Sequence, residues 1–163
     1  MRKIKLNTRT IRHGLTLFCV SLALGACGLT GRNGGLAAGA RNQADGEYRA
    51  AYIEAKKVLQ HDSKNGAAWL LLGRASLKLG NPKDALSDLQ NAQANGVPEA
   101  QWAVPMGEVL LVTQQYDKLL KTLSPDQQAD PQVRASVQRL RGDAHRGLKQ
   151  FDQAEQSYKA PLA

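Results

Sequence analysis

Few side chains in this sequence are arranged for chemistry. Its 163 residues include two cysteines, Cys19 and Cys27, and three histidines, His13, His61 and His145. A zinc site needs three or four convergent ligands, and the chain has no His-x₃-His or Cys-x₂-Cys spacing. Its carboxylates are scattered singly, and no serine has a nucleophile-elbow context. We therefore expect a protein that is not an enzyme and that uses no metal or cofactor.

The N-terminal segment has the organisation of an export signal. Residues 1–13 are basic and polar, and residues 14–26 form an apolar stretch of 13 residues. A membrane-spanning helix needs about 20 apolar residues, so this stretch is too short to remain as a span. A helix buried in a folded core would need a polar face, for which the stretch offers only Thr16 and Ser21. We predict that residues 1–26 are a secretory signal peptide.

The end of the apolar stretch resembles the lipobox of bacterial lipoproteins, a leucine and two small residues before a cysteine. The matching residues are Leu24, Gly25, Ala26 and Cys27. The resemblance implies that the Cys27 thiol receives lipid, that cleavage makes Cys27 the first mature residue, and that the acyl chains anchor the protein. Gly28 follows, where lipoproteins retained at the inner membrane often have Asp. The resemblance therefore implies the periplasmic face of the outer membrane in a Gram-negative bacterium.

The charge distribution favours export over nucleic-acid binding. A formal net charge of +8 and a pI of about 9.7 would suggest an anionic partner. However, residues 1–26 hold five basic residues and no acidic one, so the remainder carries +3. That excess lies from residue 131 onward, where six basic residues face three acidic ones. We expect no nucleic-acid partner.

The segment after Cys27 is rich in glycine. Residues 28–43 contain five glycines and no acidic residue, and their spacing fits neither phosphate-binding glycine motif. Ordering such a segment costs much backbone entropy. We predict that residues 27–45 are the lipidated cysteine and a flexible tether, in which residues 36–44 form at most a short, poor helix.

From residue 46 the sequence shows helical periodicity and internal repetition. Its clearest unit is similar to the tetratricopeptide repeat, whose pattern is Trp, Leu-Gly, Ala, a large apolar residue and Ala. The matching residues are Trp69, Leu72, Gly73, Ala85, Leu89 and Ala92. Between them, Asn81-Pro82 predicts the start of a second helix, with Asn as N-cap and Pro at the first helical position.

A constant period relates three glycines. Gly73 and Gly107 are 34 residues apart, and Gly107 and Gly142 are 35 apart. Twelve and sixteen residues after the third glycine come Ala154 and Tyr158, at the offsets of the alanine and the leucine in the clearest unit. We predict that the small residues lie where the two helices of a unit cross, and that the large ones fill the space between units.

These repeats predict an all-α fold of stacked helical hairpins in a right-handed solenoid. We expect about three and a half units within residues 46–163: a partial one, 46–65, and three others, 66–99, 100–130 and 131–160. The second unit departs from the pattern, because Pro105 is expected to interrupt its first helix and its second helix is expected to end near Ser124.

The first helices of such an array are expected to line a concave groove that binds a protein partner. The period places these residues there: Leu70, Arg74, Lys78, Glu108, Leu111, Arg139, Asp143 and Arg146. A mixed, solvated face is the simpler interpretation. The alternative is that the three arginines hold an acidic peptide or an anionic glycan through bidentate hydrogen bonds.

Residues 44–160, together with the lipobox, resemble the N-terminal portion of the tetratricopeptide-repeat lipoproteins of the PEP-CTERM/exosortase system. The stretches that carry the resemblance are 46–92, 96–120 and 140–158. It implies a non-catalytic interaction protein in bacteria that sort surface proteins and make exopolysaccharide. Members of that family are much longer, so truncation is the simplest explanation of this chain's length. Because the apolar face of the last unit would be left open, we predict that the mature fragment is marginally stable or self-associates through that end.

Two other functions are compatible with the same sequence. One is a shorter periplasmic tetratricopeptide lipoprotein that assists pilus, secretin or outer-membrane protein assembly. The other is a glycan-binding accessory subunit. The lipobox is common to all of these proteins and does not distinguish them.

Overall fold

The computed structural model describes residues 29–124 and 130–159, with side chains from residue 34 onward. The predicted signal peptide, the lipobox and Cys27 lie outside these residues. The described ranges contain eight helices and no strand: α1 (Leu29–Ala44), α2 (Tyr48–His61), α3 (Gly66–Lys78), α4 (Pro82–Ala94), α5 (Glu99–Val112), α6 (Tyr116–Thr122), α7 (Pro131–Gly147) and α8 (Phe151–Lys159). Among them, none is long and apolar enough to cross a bilayer. The predicted all-α fold is confirmed.

The helices pack as consecutive hairpins. In sequence order, α1 packs on α2, α3 on α4, α5 on α6 and α7 on α8. The first helices of successive hairpins also contact one another, α1 with α3, α3 with α5 and α5 with α7. This is the helical-hairpin solenoid that the repeats predict.

The glycine-rich segment predicted to be a tether is instead the helix α1. A Cβ at Gly39 would lie 2.5 Å from Leu71 Cδ2, and one at Gly35 would lie 3.0 Å from Val58 Cγ2. The glycines therefore let α1 approach α2 and α3 closely, and this tertiary packing offsets the entropy that opposed an isolated helix. Residues 46–65 are accordingly the second half of a complete hairpin.

One left-handed residue closes the turn inside each hairpin. These residues are Gly46 and Gly80, both with φ of +80°, Gln114 with +56° and Lys149 with +61°. They are 34, 34 and 35 residues apart. In every turn the next backbone N–H donates to the carbonyl five residues earlier, at distances from 2.7 to 2.9 Å. This is the Schellman arrangement that ends a helix with its last carbonyls paired.

Pro105 does not interrupt α5, contrary to the prediction. The helix continues from Glu99 to Val112 with Pro105 buried inside it. Because proline has no N–H, the carbonyl four residues earlier, that of Gln101, loses its helical donor. The Arg74 guanidinium of α3 supplies the missing donor, with Nη2 at 2.7 Å from that oxygen.

Candidate functional site

The signature glycines lie against the large residue of the partner helix in their own hairpin. A Cβ at Gly73 would lie 2.8 Å from Leu89 Cγ. One at Gly107 would lie 2.8 Å from Cδ1 of Leu123, the C-cap residue of α6, and 2.7 Å from Cδ1 of Leu140 in the next hairpin. A Cβ at Gly142 would overlap the ring of Tyr158. Each pair is separated by sixteen residues. The large residue therefore occupies the helix crossing, where the sequence had placed the alanine.

The alanines of the signature are all buried beside these crossings. Ala85 and Ala92 of α4 have no exposed surface, and Ala154 of α8 is 4% exposed. Trp69 and Leu72 of α3 do lie between units, since both pack with the cluster formed by α2 and α3. Trp69 also contacts the larger cluster formed by α3 to α7, so it joins the two parts of the core.

Charged side chains of three first helices occupy one register position. Arg74, Glu108 and Asp143 are separated by 34 and 35 residues and lie on α3, α5 and α7. All three are half-buried. Burial lowers the pKa of the Arg74 guanidinium, and the Glu108 carboxylate acts in the opposite direction. We define the row of Arg74, Glu108 and Asp143 with their exposed neighbours on the same helices as the groove face.

Asp143 is the centre of a charged cluster on α7. Arg139 Nη1 lies 3.6 Å from Asp143 Oδ2, and Arg146 Nη2 lies 3.2 Å from Asp143 Oδ1. Tyr158 of α8 donates its hydroxyl to the same carboxylate at 2.8 Å. The pKa of that hydroxyl is raised, first by burial and then by Asp143. The arginine side chains remain 60% and 67% exposed, so such pairs are weak and both guanidinium groups stay accessible.

Three residues predicted for the groove have different surroundings. Leu70 is 6% exposed and belongs to the core, so its placement on an open face is wrong. Leu111 is half-buried against the same core. Arg74 is engaged by Gln101 and is only partly available to a partner. Lys78, the last residue of α3, is exposed as predicted for the groove face.

Sequence reasoning missed the role of Arg141. Its Nη1 donates to the carbonyls of Leu120 and Leu123, at 2.8 and 2.6 Å, and thereby caps the end of α6. The available signal was the short second helix that ends near Ser124, because the last carbonyls of any helix need donors. A second missed residue is Gly39, which lies 34 residues before Gly73 and reveals the register of α1.

The histidines of the described ranges are not arranged for metal binding. His61 is exposed at the end of α2, and His145 Nδ1 lies 2.8 Å from Gln150 Oε1. Within residues 29–124 and 130–159, no three histidine, cysteine or carboxylate side chains converge as metal ligands.

Comparison with known proteins gives a family match for part of the chain. Residues 43–104 match the model of the tetratricopeptide repeat family. Among solved structures, a mutant O-GlcNAc transferase of Thermobaculum terrenum has a TM-score of 0.53 and 22% identity, covering 72% of this chain and 26% of its own. This chain thus spans about a quarter of that enzyme's length.

A second solved structure, described as MamA protein, has a TM-score of 0.47 and 18% identity, with coverage of 80% of this chain and 89% of that one. No curated protein has a matching sequence. At 22% identity the transferase structure shows similarity of fold alone.

The family match ends at residue 104, but the register does not. The crossing glycines and the left-handed turn residues continue with the same period through α7 and α8. Tetratricopeptide repeats generally mediate protein–protein interaction. The described part of the chain is therefore a solenoid of helical hairpins with the fold of tetratricopeptide repeats, and residues 43–104 match the family model.

Proposed function

We propose that this protein is a non-catalytic, lipid-anchored scaffold that binds a protein partner through the groove face. The observation that carries the proposal is the row of charged residues that the register aligns across α3, α5 and α7. Lys78, Arg139 and Arg146 are exposed on the same helices. Since Asp143 is shared by two arginines, the α7 end of the face has an excess of positive charge. This end suits an acidic segment of the partner.

A photo-crosslinking experiment in the native membrane tests the groove face. A crosslinkable residue at Lys78, on α3, is expected to capture one defined protein. The matched control is Lys118, which is exposed on α6, a second helix. The combined change Arg139→Ala and Arg146→Ala should reduce capture from position 78. Equal capture from both positions would contradict a groove-specific partner.

The anchor is proposed from the sequence Leu24-Gly25-Ala26-Cys27. Lipid on Cys27 would hold the array at the periplasmic face of the outer membrane. Radioactive palmitate should label the wild-type protein and fail to label the Cys27→Ser variant. Retained label in that variant would refute lipidation at this residue.

The biological setting that we propose is exopolysaccharide production with PEP-CTERM/exosortase protein sorting. Its support is the resemblance of residues 44–160 to lipoproteins of that system. Identification of the crosslinked partner tests this setting directly. A component of polysaccharide export or sorting supports it, whereas a pilus, secretin or outer-membrane assembly protein assigns the scaffold to the alternative role.

Self-association through α8 is a further part of the proposal. Phe151 is 66% exposed and Tyr158 is 47% exposed, which leaves an apolar surface on this helix. Sedimentation of the full chain should show a concentration-dependent dimer that Phe151→Ser weakens. A monomer at all concentrations, with a melting temperature that does not depend on concentration, would contradict it.

A further inference from the structure

A cleft with a volume of about 590 Å³ lies between α2 and α4, over the surface of α3. It is formed by second helices and is separate from the groove face. Its lining includes two aromatic residues, Tyr52 and Trp69, two leucines, Leu59 and Leu72, and two acidic residues, Asp84 and Asp88. Lys56 and three uncharged polar residues complete it.

The chain places one of its own cations in this cleft. The Lys56 ammonium lies over the ring of Tyr52, with Nζ 4.7 Å from the ring centroid. The pKa of Lys56 is raised mainly by Tyr52; burial opposes this effect, and Asp88 and Asp84 each raise the pKa by less. The position of this ammonium over an aromatic face, in a cleft that also contains Asp84 and Asp88, is the observation that points to a cationic ligand.

Asp88 contributes a carboxylate that is poorly compensated. The side chain is 9% exposed, and Oδ2 accepts a hydrogen bond from the Ser76 hydroxyl at 3.0 Å. Its pKa is raised mainly by burial, with Asp84 adding to the effect and Ser76 and Lys56 opposing it. Within the described residues, neither Asp84 nor Asp88 has a salt bridge within 4.0 Å. A cation that enters the cleft would be stabilised by both.

The remaining lining suits an aliphatic stem. Leu59 and Leu72 contribute apolar surface, and Trp69 donates its Nε1–H to the Ser63 carbonyl at 2.8 Å. With that donor already engaged, the indole presents its apolar ring surface to the cleft.

We propose that this cleft binds an arginine side chain of a partner protein, whose guanidinium replaces the Lys56 ammonium over Tyr52 and pairs with Asp84. Arginine is favoured over lysine because its planar group stacks on an aromatic face, binds a carboxylate in bidentate fashion and is more weakly hydrated. Its methylene stem would lie along Leu59 and Trp69. The proposal rests neither on the groove face nor on the lipid anchor.

The test uses the full chain in a neutral detergent and two short peptides of glycine and serine. One peptide carries a single arginine, and the other carries citrulline, its neutral isostere, at the same place. The readout is the indole N–H signal of Trp69 in a nuclear magnetic resonance titration. The arginine peptide is expected to shift this signal and the citrulline peptide is not. Equal shifts by both peptides, or by neither, would overturn the proposal.

Variants separate the cleft from general electrostatics. Lys56→Ala should tighten binding of the arginine peptide about two- to fivefold, because it removes the competing cation. Lys57→Ala is the matched control, because it removes the same charge from the adjacent residue. Lys57 does not line the cleft, and its Nζ lies 2.7 Å from Glu54 Oε1. Asp84→Asn should weaken binding about fivefold or more.

A gain of affinity is a readout that misfolding does not produce. If Lys56→Ala tightens binding no more than Lys57→Ala does, the cleft is not the binding site. Glu108→Gln removes a carboxylate from the groove face, the charge to which a cationic peptide would bind there. A loss of peptide binding in that variant would place the peptide on the groove face and overturn the cleft proposal.

Discussion

The first two hairpins, α1 to α4, and the last two, α5 to α8, follow the same period with different residues. Gly46 and Gly80 close the turns of the first half, whereas Gln114 and Lys149 adopt the same left-handed conformation in the second half. In the second half, Gln114 and Lys149 therefore have backbone strain, because a residue with a Cβ is disfavoured at positive φ and glycine is not. The comparison shows that the register is a requirement on the backbone, which glycine meets at lower cost.

The two halves also differ in how helix carbonyls are paired. In the first half, α4 has 13 residues and ends with backbone hydrogen bonds. In the second half, α6 has seven residues and its last carbonyls are paired by Arg141. Pro105 frees a further carbonyl that Arg74 pairs. Hydrogen bonds from Arg74 and Arg141 thus compensate for the proline in α5 and for the short helix α6. The family match ends at residue 104, directly before that proline.

The largest effect that we predict within this comparison is loss of the Arg141 cap. Arg141→Met should lower the free energy of unfolding by about 2 kcal/mol, since two carbonyls at the end of α6 lose a charged donor. Chemical denaturation followed by circular dichroism measures it. Arg139→Met, on the same helix but exposed, is the control and should cost less than about 0.5 kcal/mol. Equal losses would show that Arg141 is not a specific cap.

The next effect concerns the crossing glycines. Gly73→Ala should cost about 2 kcal/mol, because the new Cβ would lie 2.8 Å from Cγ and 3.2 Å from the backbone nitrogen of the fully buried Leu89. Gly142→Ala should cost less than half of that, because Tyr158 can rotate toward solvent.

The control for the glycine series is Gly34→Ala in α1, where a Cβ would meet nothing within 4 Å. This change should stabilise the protein by about 0.5–1 kcal/mol through helix propensity alone. Thermal unfolding of the three variants ranks them. If Gly142→Ala lowered the stability more than Gly73→Ala does, the prediction that the crossing in α3 tolerates a Cβ less well than the crossing in α7 would be wrong.

A smaller effect is the coupling between Arg74 and Pro105. Arg74→Met should destabilise the wild-type chain more than it destabilises the Pro105→Ala variant, by about 1 kcal/mol. In that variant the new backbone N–H at position 105 can donate to the Gln101 carbonyl. A double-mutant cycle of unfolding free energies measures the coupling. An additive cycle would mean that the arginine does not compensate for the proline.

The smallest predicted effect is at the turns. Lys149→Gly should stabilise the protein by about 0.5–1 kcal/mol, because glycine adopts positive φ without steric cost. Gly80→Ala in the first half should have the opposite sign and a similar size. Melting temperatures of the two variants test the pair. A destabilised Lys149→Gly variant would show that contacts of the lysine side chain outweigh its backbone strain.

The repeat fold was predictable because its signal is local and periodic. Gly73 recurs as Gly107 and Gly142 at the spacing of stacked helical hairpins, and the position of the short helix α6 followed from Ser124 and its surroundings. The tether was predicted wrongly because glycine content was assessed for an isolated segment. Gly39 lies one period before Gly73 and marks the register of this segment, but its helical conformation depends on packing against α2 and α3.

The groove residues were predictable by register but not by surroundings. The period placed Arg74, Glu108 and Asp143 at equivalent positions, and the structure keeps them in one row. The period could not predict that Arg74 donates a hydrogen bond to the Gln101 carbonyl, or that Arg139 and Arg146 both pair with Asp143. Those contacts depend on side-chain conformations and on the distance between neighbouring helices.

The sequence by itself determined the all-α class, the period and the crossing glycines, because these depend on residue size at fixed spacing along one helix or one hairpin. Tertiary structure alone decided that the glycine-rich segment is helical and which carbonyls are paired by Arg74 and Arg141. It also decided that Tyr52, Lys56 and Asp88 meet in one cleft. The physical reason is that these outcomes depend on packing between helices that are distant in sequence, which no local pattern encodes.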